Sequence, residues 1–278
     1  MELKVLVDNN TTIDRYFLGE PAVSYLIRDG DTKILFDVGY SDIFIKNALK
    51  MNESLMDINY VVISHGHIDH TGGLDPLAKL YFEAKVENID HLNPTVIAHP
   101  EAFSYKEYAG IDIGSMLDSS KISKSFNTHL VSEPFWITDN IVFLGEIQRG
   151  NDFENTEPMG QCEKSGLMVD DYLKDDSAIV YKSAQGLVII TGCSHAGICN
   201  IIEYAKKVCD DNRVLDVIGG FHLLEPSKAQ AEGTLEYFNT QQIENIHPCH
   251  CTGLKYKIQL SKSTNVIDVG VGLSLNYP

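Results

Sequence analysis

VVISHGHIDHTGG, residues 61–73, is the stretch from which the rest of the chain is read. Three histidines and an aspartate fall within six residues here, His65, His67, Asp69 and His70. Scattered histidines are usually core or surface residues, but this density beside a carboxylate is hard to obtain by scatter. The preceding Tyr60, Val61, Val62 and Ile63 are aromatic and β-branched and predict a buried strand. Thr71, Gly72 and Gly73 end any regular element. The cluster therefore sits at a strand end, where a rigid scaffold presents functional groups. On an extended segment, positions i, i+2 and i+4 share a face, which predicts His65, His67 and Asp69 on one side. His70 would face the other way unless the chain turns, and Gly66 and the later glycines permit a turn. Neutral imidazole and carboxylate are ligands for zinc, iron or manganese. The stretch reads as a metal site.

Other strand ends carry matching residues. LVIITGCSHAG (187–197) is an apolar run followed by Cys193 and His195. DVIGGFHL (216–223) ends in a glycine pair and His222, and IHPCHCTG (246–253) sets His250 between Cys249 and Cys251. ILFDVG (34–39) ends in Asp37, which is expected to hydrogen-bond the ligand loop rather than bind metal itself. Each has a plainer reading. His195 could cap a helix, and His250 could be a core histidine. His222 could be a ligand, a proton donor or a substrate contact. His91 and His129 lie in polar surroundings and read as surface residues. His99 is undecided.

The chain has 278 residues, 44% of them apolar, enough for a substantial core, and we read residues 1–278 as one domain. Its formal net charge of −17 repels a phosphate backbone, so no nucleic-acid partner is expected. The start, MELKVLVDNN, has no basic stretch followed by an apolar core, and no run approaches the roughly 18 apolar residues of a membrane span. A cytoplasmic protein with no membrane partner is expected. The six cysteines contain no CxxC pair and read as thiols rather than a disulfide framework.

Strands are expected at 3–7, 22–27, 32–38, 95–98, 129–131, 135–137, 141–144, 178–181, 187–191, 214–218 and near Ile267, with a hairpin turn at 28–31. Helices are expected at 41–51, 75–82, near Pro100, 198–209 and 228–238. Strands with helices outside them predict two packed sheets covered by helices. Residues 112–127 and 148–176 resist assignment. The second is long, acidic and turn-rich, and is read as a lid or substrate loop against the plainer alternative of a surface excursion.

HGHIDH (65–70) resembles the HxHxDH motif of the metallo-β-lactamase superfamily, and ILFDVG resembles the strand preceding it. With TGCSHAG, IGGFHL and PCHCTG in order, nearly the whole chain resembles one branch, the 7,8-dihydropterin-6-methyl-4-(β-D-ribofuranosyl)aminobenzene-5'-phosphate synthases. The resemblance implies an α/β fold, an αββα four-layer sandwich with a dinuclear site along one edge. It implies that His65 and His67 hold one metal, that Asp69 and His70 hold the second, and that His250 closes the second. The chain departs from the pattern in two places. The usual third-motif histidine has no obvious counterpart between His70 and Cys193. Cys193 stands where the bridging aspartate usually sits, with His195 two residues on, so His195 is expected to replace one of these ligands, at either metal.

The expected chemistry is a metal-dependent hydrolase or transferase using a metal-held hydroxide on a small-molecule substrate. Two divalent ions, zinc first with manganese or iron as alternatives, would be the cofactors. Asp69 would orient the nucleophile and carry a proton, and His222 is the candidate acid for the leaving group. The branch suggests a pterin and a phosphorylated ribose; a phosphodiester, lactone or thioester suits the same site. The alternative is a metal-dependent binding or redox-sensing protein with little turnover, suggested by the cysteines near His195 and His250.

Overall fold

The computed structural model describes residues 1–278. The chain builds two seven-stranded sheets, and its last strand returns to the edge of the first. The first runs in the order Ser274–Asn276, Glu2–Val7, Ser24–Asp29, Thr32–Phe36, Tyr60–Val62, Thr95–Ala98, Asn127–Leu130. The second runs Asn265–Val266, Ile243–Cys249, Val214–Gly220, Leu187–Thr191, Ala178–Lys182, Ile141–Phe143, Phe135–Trp136. Strands from Thr32–Phe36 to Asn127–Leu130 are mutually parallel, as are those from Leu187–Thr191 to Asn265–Val266.

Alternation along the strands explains the layering. Val5, Ile34, Phe36, Val62 and Ile97 of the first sheet meet Phe143, Ile179, Val188, Ile190 and Ile218 of the second in one apolar layer. The intervening Leu35, Val61, Val96 and Ala98 turn outward onto Phe44, Leu74 and Leu77 of helices Ile43–Lys50 and Leu74–Val86. Val142, Val180, Leu187, Ile189 and Val217 likewise turn outward onto helices Ile198–Cys209, Lys228–Thr240 and Leu254–Leu260. Both faces of both sheets are buried, which gives the αββα sandwich expected. No helix is long and apolar enough to cross a membrane.

Several local expectations need correction. No helix forms near Pro100; the chain makes turns there, because Pro100 follows His99 at the point where Thr95–Ala98 ends and Gly66 presses on the Ala102 carbonyl. The unassigned 112–127 stretch contains the helix Ser119–Ser125, capped by the Asp118 carboxylate, which accepts from Lys121 N at 2.8 Å. The strand Ile243–Cys249 carries Pro248 and polar residues, so only its position among parallel neighbours reveals it. The 148–176 segment is no structureless excursion. It contains the hairpin Gln161–Lys164 and Leu167–Asp170, which joins Lys106–Tyr108 and Ile111–Asp112 in a third, four-stranded sheet. Its acidity is also misleading as a sign of surface. Glu154, Asp171, Asp175 and Asp176 are all buried.

Candidate metal centre

The parallel strands of both sheets end at one edge of the sandwich, and Asp37, His65, Cys193, His222 and His250 all follow such ends. Sites in open α/β sheets form at the carboxyl ends of strands for this reason. Asp37, Ser194, His222 and His250 have φ of 53°, 60°, 51° and 49°. Non-glycine residues rarely hold this left-handed backbone, and it costs of order 1–3 kcal/mol each. It turns the chain abruptly as each strand stops.

Two groups of donors result. His65, His67 and His195 form one, and Asp69, His70, Cys193 and His250 form the other. Within each group the potential ligand atoms lie within 4.8 Å of one another. In the first, His65 Nε2 and His67 Nδ1 approach to 3.1 Å. In the second, Cys193 Sγ lies 3.2 Å from both His70 Nε2 and His250 Nε2, and Asp69 Oδ2 lies 3.5 and 3.3 Å from those nitrogens. A tetrahedral ion with bonds of about 2.0–2.3 Å would place its ligands roughly 3.4 Å apart. The groups adjoin, with the His65 and His70 rings 4.1 Å apart between centroids.

The local chain path explains the split. It is extended as far as His67, whose φ and ψ are −70° and 150°, and His67 caps the helical turn Ile68–Thr71. His65 and His67 therefore share a face as an extended pair, but Asp69 does not join them. The turn swings Asp69 onto the same side as His70, correcting the expectation from a wholly extended segment. His195 joins His65 and His67. Cys193, absent from the expected ligand set, joins the second group. Its place where the resembled family's bridging aspartate sits is the signal, but in the sequence it reads as a departure to be made good by His195 rather than as a ligand. His222 stands outside both groups, against His195 at 4.3 Å between ring centroids. His99 is buried near Glu146, and His129 is exposed. His91 stacks on Tyr81.

The donor chemistry fits divalent metal. His195 Nε2 is buried without any hydrogen-bond partner. Burial holds His65 and His195 well below the ordinary imidazole range, and brings His67 down to about 4, so all three offer lone pairs. Burial alone would raise Asp69, but His70 and His250 outweigh it and keep the carboxylate ionised. Burial alone would lower His70, but Asp69 and Asp37 outweigh it and push it up to about 9. Asp37 Oδ2 accepts from His70 Nδ1 at 2.6 Å and from Ser64 Oγ at 2.7 Å, and its Oδ1 accepts from Ser64 N at 2.7 Å. Ser64 Oγ in turn lies 2.9 Å from His65 Nδ1. These bonds leave Nε2 of both histidines facing the donor groups. Asp37 thus has the supporting role expected of it. Asp37→Asn is expected to weaken metal binding about 10–100-fold, the usual cost of losing a carboxylate behind a ligating histidine. Titration of the metal-free variant with zinc, against the parent, checks this.

A further support was not legible in sequence. Lys106, on the third sheet, is fully buried, and its Nζ donates to Asp171 Oδ2 at 3.0 Å and Asp175 Oδ1 at 2.9 Å. Asp175 Oδ2 accepts from Gly66 N at 2.8 Å, between His65 and His67. Only glycine fits at 66, where a Cβ would stand 2.0 Å from the Ala102 carbonyl oxygen. Asp176, raised to about 7 by burial, accepts from Ala196 N at 2.8 Å beside His195. Glu154 accepts from Cys199 N and Asn200 N, both at 3.0 Å, and so caps the helix after His195. The 148–176 segment therefore buttresses both loops of the first donor group.

Comparison with known proteins agrees with this arrangement. The sequence model of the metallo-beta-lactamase superfamily matches residues 18–147. An uncharacterised protein of Methanocaldococcus jannaschii is 35% identical over 97% of this chain and 98% of its own length. From the same organism, 7,8-dihydropterin-6-methyl-4-(beta-D-ribofuranosyl)-aminobenzene-5'-phosphate synthase is 28% identical over 92% of this chain and 88% of its own. The crystal structure of Tm1679, a metal-dependent hydrolase of the beta-lactamase superfamily, superposes with a TM-score of 0.83 and 32% identity, covering 100% of this chain and 99% of the other. Shared sequence over nearly the full length and one fold place this chain in the metallo-β-lactamase superfamily.

Proposed function

We propose that this chain, acting as one domain over residues 1–278, is a metal-dependent hydrolase or transferase for a small-molecule substrate in the cytoplasm. The observation that carries the reading is the pair of adjoining donor groups. His65, His67 and His195 would hold one divalent cation, and Asp69, His70, Cys193 and His250 the other. A thiolate among the ligands favours zinc or iron over the oxygen-seeking cations. When bound, such cations supply Lewis-acid polarisation of an electrophilic centre and lower the pKa of water.

The chain's own groups then divide the work. Asp37 and Ser64 hold the imidazoles in one tautomer. The Asp69 side chain is 29% exposed, so one face of its carboxylate reaches the mouth of the site, where it can orient a nucleophile and accept its proton. His222 has a buried Nδ1 without a partner and stands beside His195, placed to hand a proton to a leaving group. The name of the synthase relative suggests a substrate that joins a pterin to a phosphorylated ribose.

A second reading, a metal-dependent binding or redox-sensing protein, draws on Cys251. Its Sγ lies 3.4 Å from the Cys193 carbonyl oxygen, and contact with Cys193 and His222 overrides burial to hold this thiol well below its usual range. Metal analysis with a panel of phosphodiesters, lactones and thioesters separates the two. Turnover that disappears on chelation and returns with zinc is expected. Equal turnover by fully demetallated protein would refute the hydrolytic reading. Redox-active iron with no turnover would favour the second.

A further inference from the structure

A cavity of about 280 Å³ lies behind the metal centre, between the 148–153 segment and the helices Ile198–Cys209 and Lys228–Thr240. Phe153, Tyr204 and Tyr237 form its aromatic walls. Phe153 also lines a second cavity of about 160 Å³, whose other walls include His195 and His222. The same ring therefore separates an aromatic chamber from the metal edge. It is held firmly, because a Cβ at Gly233 would stand only 2.5 Å from it, so the ring lies directly on helix backbone.

The chamber is unsuited to an anion. The free amides at the start of Ile198–Cys209, Cys199 N and Asn200 N, are already answered by Glu154. Lys207 is solvent-exposed, its charge screened by water, and its Nζ donates to Gln148 Oε1 at 2.8 Å. Glu203, another lining residue, adds a second carboxylate. Asn200 Oδ1 is occupied by Gly150 N at 2.8 Å and Asn151 Nδ2 at 3.1 Å. What the walls still offer is aromatic faces. The volume lies just under the roughly 300 Å³ at which drug-sized sites begin, which suits one part of a ligand.

We propose that this cavity binds an uncharged planar ring system of about two fused rings, stacked against Phe153 and the two tyrosines. We infer that this ring is the non-reacting end of a substrate whose reacting bond passes Phe153 to His195 and His222. Only this second statement rests on the hydrolase reading.

The test uses the full chain, both metal-loaded and chelated, with pterin, adenine and 2-naphthol as ring probes and ribose 5-phosphate as the anionic control. At least one ring is expected to bind with equal affinity in both forms, and ribose 5-phosphate is expected to leave the chelated protein untouched. Gly150→Phe adds a large side chain at a lining residue where an added Cβ meets nothing within 4 Å, so the fold has room for it. It is expected to weaken ring binding at least about tenfold, as is Phe153→Ala. Failure of all three rings to bind the parent, or unchanged binding by both Gly150→Phe and Phe153→Ala, would overturn the ring site. Turnover at the parent's KM by a variant that has lost ring binding would overturn the link to the substrate. Ring binding without turnover of any panel compound would count against the hydrolase reading alone.

Discussion

His195→Ala is expected to leave one metal ion per chain where the parent carries two, and to lower turnover by at least about a hundredfold. The first donor group has only three protein ligands, so losing one leaves the His65 and His67 pair, which is too few to compete with water. The second group keeps all four of its members. The expected effect exceeds that of Asp37→Asn because a ligand is lost, not its support. Thermal unfolding distinguishes this from simple damage. The buried Nε2 of His195 finds no hydrogen-bond partner among the protein's own groups, and an unanswered buried polar atom costs about 1–3 kcal/mol. Removing it offsets much of the cavity left behind, so the metal-free variant should melt close to the metal-free parent. The stabilisation that metal adds should shrink in the variant. Two ions retained by His195→Ala would remove His195 from the ligand set.

Lys106→Met is expected to destabilise the fold by about 3–5 kcal/mol, the cost of stripping one partner from a buried charge cluster. Burial would lower the Lys106 pKa, but Asp175 and Asp171 outweigh it and hold the ammonium charged. Methionine matches the stem and leaves two carboxylates buried and facing one another. Denaturant unfolding of the metal-free protein measures the loss. Lys106→Met combined with Asp171→Asn should recover part of it, because one of the stranded charges is then gone. If Lys106→Met alone unfolds at the parent's midpoint, the cluster is not holding the third sheet to the Gly66 loop.

The fold was readable where one strand or helix announces itself locally. The Thr95–Ala98 and Leu187–Thr191 strands and the Ile198–Cys209 helix fall at the expected bounds, because apolar runs meet turn residues sharply at their ends. His65, His67 and His70 stood out as candidate donors by their density at a strand end, and His250 by the resemblance of PCHCTG. The fold brings all four to one edge of the sandwich. What escaped depends on residues distant in sequence. Lys106 bonds to Asp175 across 69 positions, and Glu154 caps a helix 45 positions on. A buried carboxylate and a solvent-facing one look the same in a string of letters, so the acidic 148–176 segment reads as a lid or substrate loop and its buried carboxylates go unseen. Ser64 was unreadable for a similar reason, since its hydroxyl matters only through Asp37 and His65.

One turn of chain between His67 and Ile68 has a consequence for how such a centre can diversify. Because extended backbone passes into helix there, six consecutive residues feed both donor groups, and inserting or deleting one of them would disturb both at once. The remaining donors come from separate places: His195 serves only the first group, and His250 only the second. The donor set is thus contiguous on one side and modular on the other. A change in the 193–195 or 249–251 loop alters one set of donors while the 65–70 segment stays untouched.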